Sequence, residues 1–275
     1  MTKPQNKLIY ALKNGKSVHI SDVERGLACN CMCPACGDTL VAKKGNKNIH
    51  HFAHHSGQNC EYGYETSLHL AAKEILSKAK KFVIPPVFVE FPNSYKQKEL
   101  YSEAKEIPID DVKLEYRYND IIPDIVLVSG EKELFVEIFV THKINDEKLK
   151  KIEKTNISTI EIDLSNQDKD ITEEELSEIL LNNTELKKWK YNAKSQYYLK
   201  RFYAASDERE VVCHGLAMHV NGCPLKVRVW KGIPYANFID SCLYCKYCIS
   251  YQYGIGILCS GRKKISTLED LKRWL

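Results

Sequence analysis

The alternation of apolar and polar residues predicts a chain that mixes helices and strands. Apolar stretches at Leu8–Ala11 and Ser17–Ile20 flank Asn14-Gly15, a pair that tolerates the positive φ angles of a two-residue hairpin turn. From Glu65 to Lys81, apolar residues recur every three or four positions, which predicts an amphipathic helix. Pro85-Pro86 stops that helix from continuing.

Apolar, β-branched runs predict strands further along the chain. Two such strands are expected at 87–91 and 112–118, with a polar loop between them. The runs Ile125–Val128 and Leu134–Val140 are joined by a short segment that contains Gly130, so they predict a second hairpin.

Capping residues predict two further helices. Asn145-Asp146 is expected to start a helix that ends near Lys154, and a short strand follows at 158–164. Thr172 and Glu175 have the spacing of a capping box, and Asn182-Asn183 is expected to interrupt that helix before Trp189. The order helix, strands, hairpin, helix, strand over residues 65–164 is that of an α/β core.

The cysteines are concentrated at the two ends of the chain. Five of the 11 lie in residues 1–60, six lie in residues 213–259, and residues 61–212 contain none. The chain lacks the charged and then apolar start of a signal peptide, and no apolar run approaches the ~18 residues of a membrane span. We therefore expect a cytoplasmic protein without a membrane partner, in which clustered thiols bind metal rather than form disulfides.

Charge divides the chain in the same way. Residues 1–60 have a net charge of +5, residues 61–185 of −11 and residues 186–275 of +10. Basic ends can neutralise phosphate groups, and acidic residues that converge in a core can hold metal ions. Solvated acidic helices would account for the charge of the middle segment equally well.

The N-terminal cysteines have the spacing of a zinc site. Cys33-Pro34-Ala35-Cys36 offers two thiolates from one turn, and Gly37 permits the left-handed residue that follows. We predict a closed, structural zinc site, with His51 as the competitor for the histidine position. The predicted ligands are Cys33, Cys36, His54 and Cys60. Free thiols around a buried histidine are the alternative, and Cys29 and Cys31 are expected to be small buried residues.

The C-terminal cysteines outnumber the four ligands that one zinc ion needs. Cys242 and Cys245 form a pair, and single cysteines flank it on separate segments. The predicted ligands of this second structural zinc are Cys223, Cys242, Cys245 and Cys259, with Cys213 and Cys248 left over. A four-cysteine iron–sulfur cluster is the competing interpretation. Tyrosines interleaved with Lys and Arg in this region suit either nucleic-acid contact or ordinary packing.

Two carboxylates mark the predicted core hairpin. Asp124 opens one strand, and Glu137 interrupts the apolar run of the next. A charge in a buried strand is costly unless it is paired or binds metal. Mg²⁺ between the two carboxylates is one interpretation, and an ion pair with Arg117, Lys143 or Lys73 is the other.

Several of these motifs together resemble the competence protein CoiA-like family. The resemblance covers about residues 8–164 and implies an N-terminal zinc-binding module followed by a nuclease core of the PD-(D/E)xK type. The motifs that carry it are Cys33-Pro-Ala-Cys-Gly, His51-Phe-Ala-His54, Cys60, Glu65-Thr-Ser-Leu-His69 with Lys73, Pro123-Asp124 and Val136-Glu137.

The resemblance also implies roles for individual residues. Glu65 on the first helix, Asp124 and Glu137 would be the carboxylates of the catalytic site, and Asp124 and Glu137 would bind a Mg²⁺ or Mn²⁺ ion. Glu65, His69 and Lys73 are spaced four residues apart and would lie near one face of the first helix. The reaction would be metal-assisted hydrolysis of a phosphodiester.

The chain departs from the motif of that family at one position. The motif lysine belongs two residues after Glu137, where this chain has Phe139. Lys73 or Lys143 could supply the cation instead, and His142 could act as the base. The core could equally bind nucleic acid without cutting it.

The expected architecture is an α/β chain with a restriction-endonuclease-like core between two small zinc-binding modules. The predicted segments are an N-terminal hairpin and zinc module (1–62), a nuclease core (63–170), a helical linker (171–205) and a C-terminal zinc module (206–275). The leading hypothesis is a Mg²⁺-dependent deoxyribonuclease. The alternatives are an inactive nuclease-fold adaptor that binds nucleic acid and a zinc-stapled scaffold that binds a protein partner.

Overall fold

A computed structural model of the chain describes residues 8–46, 50–58, 60, 62–167 and 171–275. Its architecture is mixed α/β with several sheets, as the sequence predicts. The predicted N-terminal segment begins at residue 1, and residues 1–7 lie outside the described ranges. No helix in these ranges has both the length and the apolar character required to cross a membrane.

The first sheet has five antiparallel strands in the order β2-β1-β3-β4-β5. Its strands are β1 (Tyr10–Lys13), β2 (Lys16–His19), β3 (Gly26–Met32), β4 (Thr39–Lys43) and β5 (His51–His54). The predicted hairpin turn joins β1 to β2, with φ angles of 52° at Asn14 and 77° at Gly15. Cys33 follows β3 and His54 ends β5, so this sheet carries predicted ligands of the N-terminal zinc site.

The middle of the chain supplies three helices and nine strands. They are α1 (Gly63–Ser77), β6 (Lys81–Ile84), β7 (Val87–Glu90), β8 (Lys98–Ser102), β9 (Lys105–Pro108), β10 (Asp111–Leu114), β11 (Ile125–Ser129), β12 (Lys132–Phe139), α2 (Asp146–Thr155), β13 (Ser158–Asp163), α3 (Glu173–Leu181) and β14 (Lys187–Tyr191). Five of these strands form the core sheet, in the order β10-β11-β12-β13-β14.

The core sheet is antiparallel except for one parallel pair. β12 and β13 run parallel, and α2 connects them as the crossover that such a pair requires. One face of the sheet packs its apolar residues, among them Val136 and Ile160, against Leu68 and Leu76 of α1 and Leu176 of α3. Glu137 alternates with Val136 along β12 and therefore faces the other side.

Two secondary-structure predictions for this part of the chain are wrong, and a third is confirmed. α1 ends at Ser77 rather than near Lys81, because the following residues form β6, which pairs with β9. The segment 92–108, expected to be a loop, contains β8 and β9. The predicted interruption at Asn182-Asn183 is confirmed, since α3 ends at Leu181 with Asn182 as its C-cap, and Lys187–Tyr191 then forms β14 at the edge of the core sheet.

Lys187 of β14 is buried although it carries an amine. Its side chain is 3 % exposed, and its Nζ donates hydrogen bonds to the carbonyl oxygens of Val83 (2.7 Å) and Leu181 (3.1 Å). The Nζ also lies 3.9 Å from the centroid of the Phe82 ring. Burial lowers the pKa of Lys187 from 10.5 to about 7.

We expect the free energy of unfolding of the wild type to rise with pH more steeply than that of Lys187→Met. Between about pH 7 and pH 10 the unfolded chain carries a proton on Lys187 that the folded chain has released. Unfolding then takes up a proton, so the unfolding free energy should rise by up to ~1.4 kcal/mol per pH unit. Urea unfolding at several pH values measures this, with Lys188→Met on the same strand as an exposed control. A difference between wild type and Lys187→Met that does not change with pH would contradict the assignment.

The remainder of the chain forms a six-stranded antiparallel sheet. One helix precedes its strands along the chain, and another follows them. Its elements are α4 (Ala193–Ala204), β15 (Asp207–His214), β16 (Ala217–Asn221), β17 (Arg228–Trp230), β18 (Ile233–Asn237), β19 (Cys248–Gln252), β20 (Gly256–Cys259) and α5 (Leu268–Trp274). The strand order is β17-β18-β16-β15-β20-β19, so β17 and β19 are edge strands.

The chain divides into two compact units. The first combines Met1–Pro85 with Ala104–Tyr191, and the second combines Pro86–Glu103 with Asn192–Leu275. In the second unit, Val89 and Phe91 share a core with Phe202 of α4 and Leu271 of α5. The predicted linker 171–205 contains α3, β14 and α4. The four-segment division made from the sequence remains a prediction.

Candidate functional site

The first cluster of metal-binding residues forms where β3 ends. Cys33 starts a turn in which the Gly37 N–H donates to the Cys33 carbonyl (2.9 Å), and Gly37 has a φ of 73°. His54 ends β5 and pairs in register with Leu40 of β4. The sheet therefore brings the turn and the histidine together, and Cys60 follows shortly afterwards in the chain.

The ligand atoms of Cys33, Cys36, His54 and Cys60 all lie within 4.8 Å of one another. The Cys36 Sγ is 3.3 Å from the His54 Nε2, and the Cys33 Sγ is 4.0 Å from the Cys60 Sγ. Three sulfurs and one imidazole nitrogen are a donor set typical of structural zinc. The cluster can therefore hold a metal ion such as zinc.

The neighbouring candidates lie outside this cluster. His51, the competitor for the histidine position, is not among the four grouped residues. Cys29 and Cys31 are buried, as expected, and their thiols donate to the carbonyl oxygens of Leu40 (3.3 Å) and Cys29 (3.2 Å).

Three acidic residues form a row across adjacent strands of the core sheet. Ile125 of β11 pairs with Val136 of β12, so the preceding Asp124 lies opposite Glu137. Glu137 in turn pairs with Glu161 of β13. Residues that are directly opposite in neighbouring strands share a face of the sheet. Asp124, Glu137 and Glu161 therefore stand side by side, and we call them the carboxylate row.

Glu137 is the central and most perturbed member of the carboxylate row. It is 5 % exposed, and its Oε2 accepts a hydrogen bond from the Lys148 Nζ at 2.6 Å. Burial, together with the nearby charge of Asp124, raises the pKa of Glu137 to about 7. Its Oε1 is buried and has no hydrogen-bond partner among the described residues. One oxygen of this carboxylate is thus available to a ligand.

Asp124 connects the carboxylate row to α1. Its Oδ2 accepts a hydrogen bond from the Ile138 N–H (2.9 Å) and lies 3.8 Å from the His69 Nδ1. Its Oδ1 lies 3.4 Å from the Lys73 Nζ, which also pairs with Glu115 at 2.8 Å. Burial lowers the pKa of His69, which favours the neutral imidazole.

Glu65 and His142 form a separate contact near the end of β12. The His142 Nδ1 is 3.3 Å from the Glu65 Oε1 and 2.8 Å from the Thr141 Oγ1. Burial alone would raise the pKa of Glu65, but the hydrogen bonds from Thr141 and His142 outweigh it and the pKa is lowered. Lys143, one of the predicted cations, places its Nζ 5.0 Å from the centroid of the Phe139 ring.

Each carboxylate of the row has its own lysine, and of these only Lys73 was predicted from the sequence as a partner. Asp124 pairs with Lys73, Glu137 pairs with Lys148, and Glu161 pairs with Lys190 at 3.3 Å. Ile160-Glu161-Ile162 repeats the pattern of Val136-Glu137-Ile138, so this signal could have identified Glu161. Lys148 had no such signal, because it is one of several lysines in α2.

The four cysteines predicted to bind the second zinc ion lie farther apart than the ligand atoms of the first cluster. These four cysteines and Cys248 line one cavity in the second unit, whereas Cys213 is exposed on β15. Within the described ranges, these thiols do not form a group with every sulfur inside 4.8 Å, as the first cluster does. A metal ion would require them to move closer together.

The carboxylate row does not form a group of three or more ligand atoms inside 4.8 Å among the described residues, unlike the first cluster. Asp124 and Glu137 nevertheless lie opposite each other on adjacent strands and carry carboxylate oxygens, the ligand type that Mg²⁺ and Mn²⁺ prefer.

One comparison with known proteins gives a match. Residues 13–63 match the family model for the N-terminal domain of competence protein CoiA. The matched segment contains all four residues of the first metal cluster and ends at the first residue of α1. It supports the resemblance to CoiA-like proteins over the N-terminal part of the chain. No curated protein and no solved structure matches the chain.

Proposed function

We propose that the chain is a metal-dependent nuclease of the PD-(D/E)xK type that hydrolyses phosphodiester bonds in DNA. The observation that carries the proposal is the buried Glu137, which lies opposite Asp124 and beside Lys148 and has one oxygen without a hydrogen-bond partner in the described part of the chain. A buried carboxylate of this kind is costly to keep unless it serves a ligand or a reaction. The restriction-endonuclease-like arrangement of the core is part of this proposal.

Asp124 and Glu137 would hold the Mg²⁺ or Mn²⁺ ion. Such an ion lowers the pKa of water and stabilises charge on a phosphate group. Around it, the Ile138 N–H fixes the Asp124 carboxylate (2.9 Å). His69 and Lys73 approach the same carboxylate from α1 and restrict its orientation.

Lys148 takes the place of the motif lysine in this proposal. The residue at the motif position is Phe139, but the Lys148 Nζ lies 2.6 Å from the Glu137 Oε2. A cation there can hold a scissile phosphate and balance the charge that builds up on it. Lys73 is engaged with Glu115 and Asp124, and Lys143 lies over Phe139, so neither is placed as well as Lys148.

The N-terminal cluster would hold a structural zinc ion. Cys33, Cys36, His54 and Cys60 provide four protein ligands, which leaves no open position for chemistry. Its contribution would be to fix the turn after β3 and the segment after β5 relative to each other.

The hairpin formed by β17 and β18 is the surface we assign to contact with DNA. Residues 211–239 contain Lys226, Arg228 and Lys231 but no Asp or Glu. Trp230 is exposed next to the turn, and the Lys231 Nζ lies 4.7 Å from its ring centroid. Exposed aromatic rings stack on bases, and neighbouring cations neutralise phosphates. This combination suits a single DNA strand.

We expect Trp230→Ala to weaken the binding of a fluorescent single-stranded DNA by ~5- to 100-fold, because a stacked base contributes ~1–3 kcal/mol.

Replacing Arg228 and Lys231 by Ala should reduce the slope of log affinity against log salt by ~1–2. Fluorescence anisotropy at several salt concentrations measures both effects. Trp274→Ala is a matched control, since Trp274 is also exposed and lies under a lysine, Lys263, but belongs to α5. An equal effect of the two tryptophan variants would contradict the assignment.

Cleavage of a fluorescent DNA by the full chain tests the nuclease proposal directly. We expect cleavage in Mg²⁺ or Mn²⁺, none in EDTA, and none for Asp124→Asn. Cleavage that continues unchanged in EDTA, or equally in Asp124→Asn, would contradict the proposal.

Phe139 favours a second candidate, an inactive adaptor that keeps the nuclease fold and binds nucleic acid. This candidate predicts salt-dependent DNA binding without cleavage under any metal. Tight binding to a protein partner, with no affinity for DNA, would favour the interaction scaffold instead.

A further inference from the structure

Five cysteines from separate segments of the second unit surround a single cavity of about 30 Å³. They are Cys223, Cys242, Cys245, Cys248 and Cys259. Cys242 lies within electrostatic reach of Cys223, Cys245 and Cys259, and Cys248 lies within reach of Cys242, Cys245 and Cys259. A cavity of this size holds roughly one water-sized occupant. Thiols that converge on such a space are a donor set for one soft metal ion.

Local turns present these cysteines in the manner of the first cluster. Cys223 is followed by Pro224, and the Lys226 N–H closes the turn onto the Cys223 carbonyl (3.1 Å) with a φ of 52° at Lys226. The Cys245 N–H donates to the Cys242 carbonyl at 3.0 Å. The first cluster has the same feature at Cys33-Pro34, where a left-handed residue also closes the turn.

Hydrogen bonding separates the fifth cysteine from the other four. The Cys248 thiol donates to the Ser250 carbonyl oxygen, at 3.7 Å. The buried thiols of Cys29 and Cys31 donate to carbonyl oxygens in the same way, and both lie outside the first metal cluster. We therefore assign Cys248 as a buried thiol rather than a ligand.

A partly buried cation adjoins the cavity. Arg209 lines it, and its guanidinium lies beside the Cys259 thiol. The Arg209 Nη1 donates to the Gly222 carbonyl (2.7 Å) and its Nη2 pairs with the Asp207 Oδ2 (3.2 Å), while its buried Nε has no hydrogen-bond partner in the described ranges. Zinc with four thiolates has a net charge of −2, so a neighbouring guanidinium would offset the cost of burying it.

We propose that Cys223, Cys242, Cys245 and Cys259 bind a second zinc ion, with Arg209 as the neighbouring cation. The ion would join segments that are separate in the sequence around one small core cluster, which includes Val220, Phe238 and Ile257. This proposal is independent of the nuclease proposal, because it concerns neither the carboxylate row nor cleavage.

Elemental analysis of the full chain and its variants tests the second site. We expect about two zinc ions per chain in the wild type and about one in Cys242→Ser and in Cys223→Ser. Cys36→Ser should also retain about one, because it affects only the first cluster. Cys248→Ser and Cys213→Ser are the controls and should match the wild type. The proposal would be overturned if Cys242→Ser kept the zinc content of the wild type, or if the protein contained iron in place of zinc. It would also be overturned if Cys248→Ser lost zinc and Cys223→Ser did not.

Cobalt uptake keeps the proposal testable if the cysteine variants do not fold. Refolded Cys36→Ser, whose replacement lies outside the second unit, should bind about one Co²⁺ with the visible spectrum of a tetrahedral tetrathiolate site. A spectrum that indicates a nitrogen ligand, or no uptake of cobalt, would overturn the second site.

Discussion

Glu137→Gln is expected to lower the rate of DNA cleavage by ~10³-fold or more, which corresponds to ~4 kcal/mol of lost transition-state stabilisation. The substitution preserves the volume of the side chain but removes the charge that would bind the metal ion. The buried Oε1 is the atom at stake, because it is the oxygen without a hydrogen-bond partner among the described residues. Steady-state cleavage of a fluorescent DNA in Mg²⁺ and in Mn²⁺ measures the effect.

The same variant should not lose stability in EDTA. Burial and the charge of Asp124 oppose ionisation of Glu137, so an uncharged glutamine avoids a cost that the wild type bears. We expect the midpoint of thermal unfolding in EDTA to stay the same or to rise by a few degrees. A loss of activity together with a gain of stability is typical of a functional residue rather than a structural one.

Glu133→Gln is the matched control for this experiment. Glu133 lies on the same strand and the same face as Glu137, and it pairs with Lys113 (2.8 Å) outside the carboxylate row. We expect it to cleave DNA at close to the wild-type rate. Equal losses in the two variants would indicate a general effect on β12 and would count against a metal site at Glu137.

Features that depend on neighbouring residues could be predicted from the sequence. Asn14-Gly15 formed the expected turn because both residues accept positive φ angles. Thr172 and Glu175 formed the expected capping box, in which the Glu175 N–H donates to the Thr172 Oγ1 at 3.2 Å and the Thr172 N–H donates to Glu175. The first cluster also belongs here, since a Cys-x-x-Cys turn and a nearby histidine suffice to suggest it.

Features that depend on distant pairing could not be predicted. Lys187–Tyr191 contains three lysines and gives no strand signal, yet it pairs with β13 in the core sheet. Its pairing places Lys187 against Phe82 and Val83, which are far away in sequence. The partner of Glu137 was missed for a different reason, since Lys148 is placed beside it by the turn between β12 and α2, and no residue pattern marks that contact.

Lys148→Met is expected to lower the rate of cleavage by ~100-fold, in line with the loss of one preorganised group that stabilises transition-state charge. The effect should fall on kcat more than on KM, because the proposed contact is with the reacting phosphate. Lys151→Met is the matched control. Lys151 lies on the same helix with the same side-chain exposure of 31 %, but its Nζ pairs with Glu147 at 3.0 Å. Equal rates in the two variants would contradict a role for Lys148.

Adding Phe139→Lys to Lys148→Met should raise the cleavage rate at least ~10-fold above that of Lys148→Met alone, because it returns a cation to the same charge-stabilising position. Phe139 is two residues beyond Glu137 on β12, so its side chain points to the same face of the sheet. A lysine at this position would place its amine near the carboxylate row from the strand rather than from α2. Rescue in the double variant, with no comparable gain from Phe139→Lys alone, would show that the two positions supply one function. If the double variant stays as slow as Lys148→Met, Lys148 does not substitute for the motif lysine, and the inactive adaptor becomes the better description of the chain.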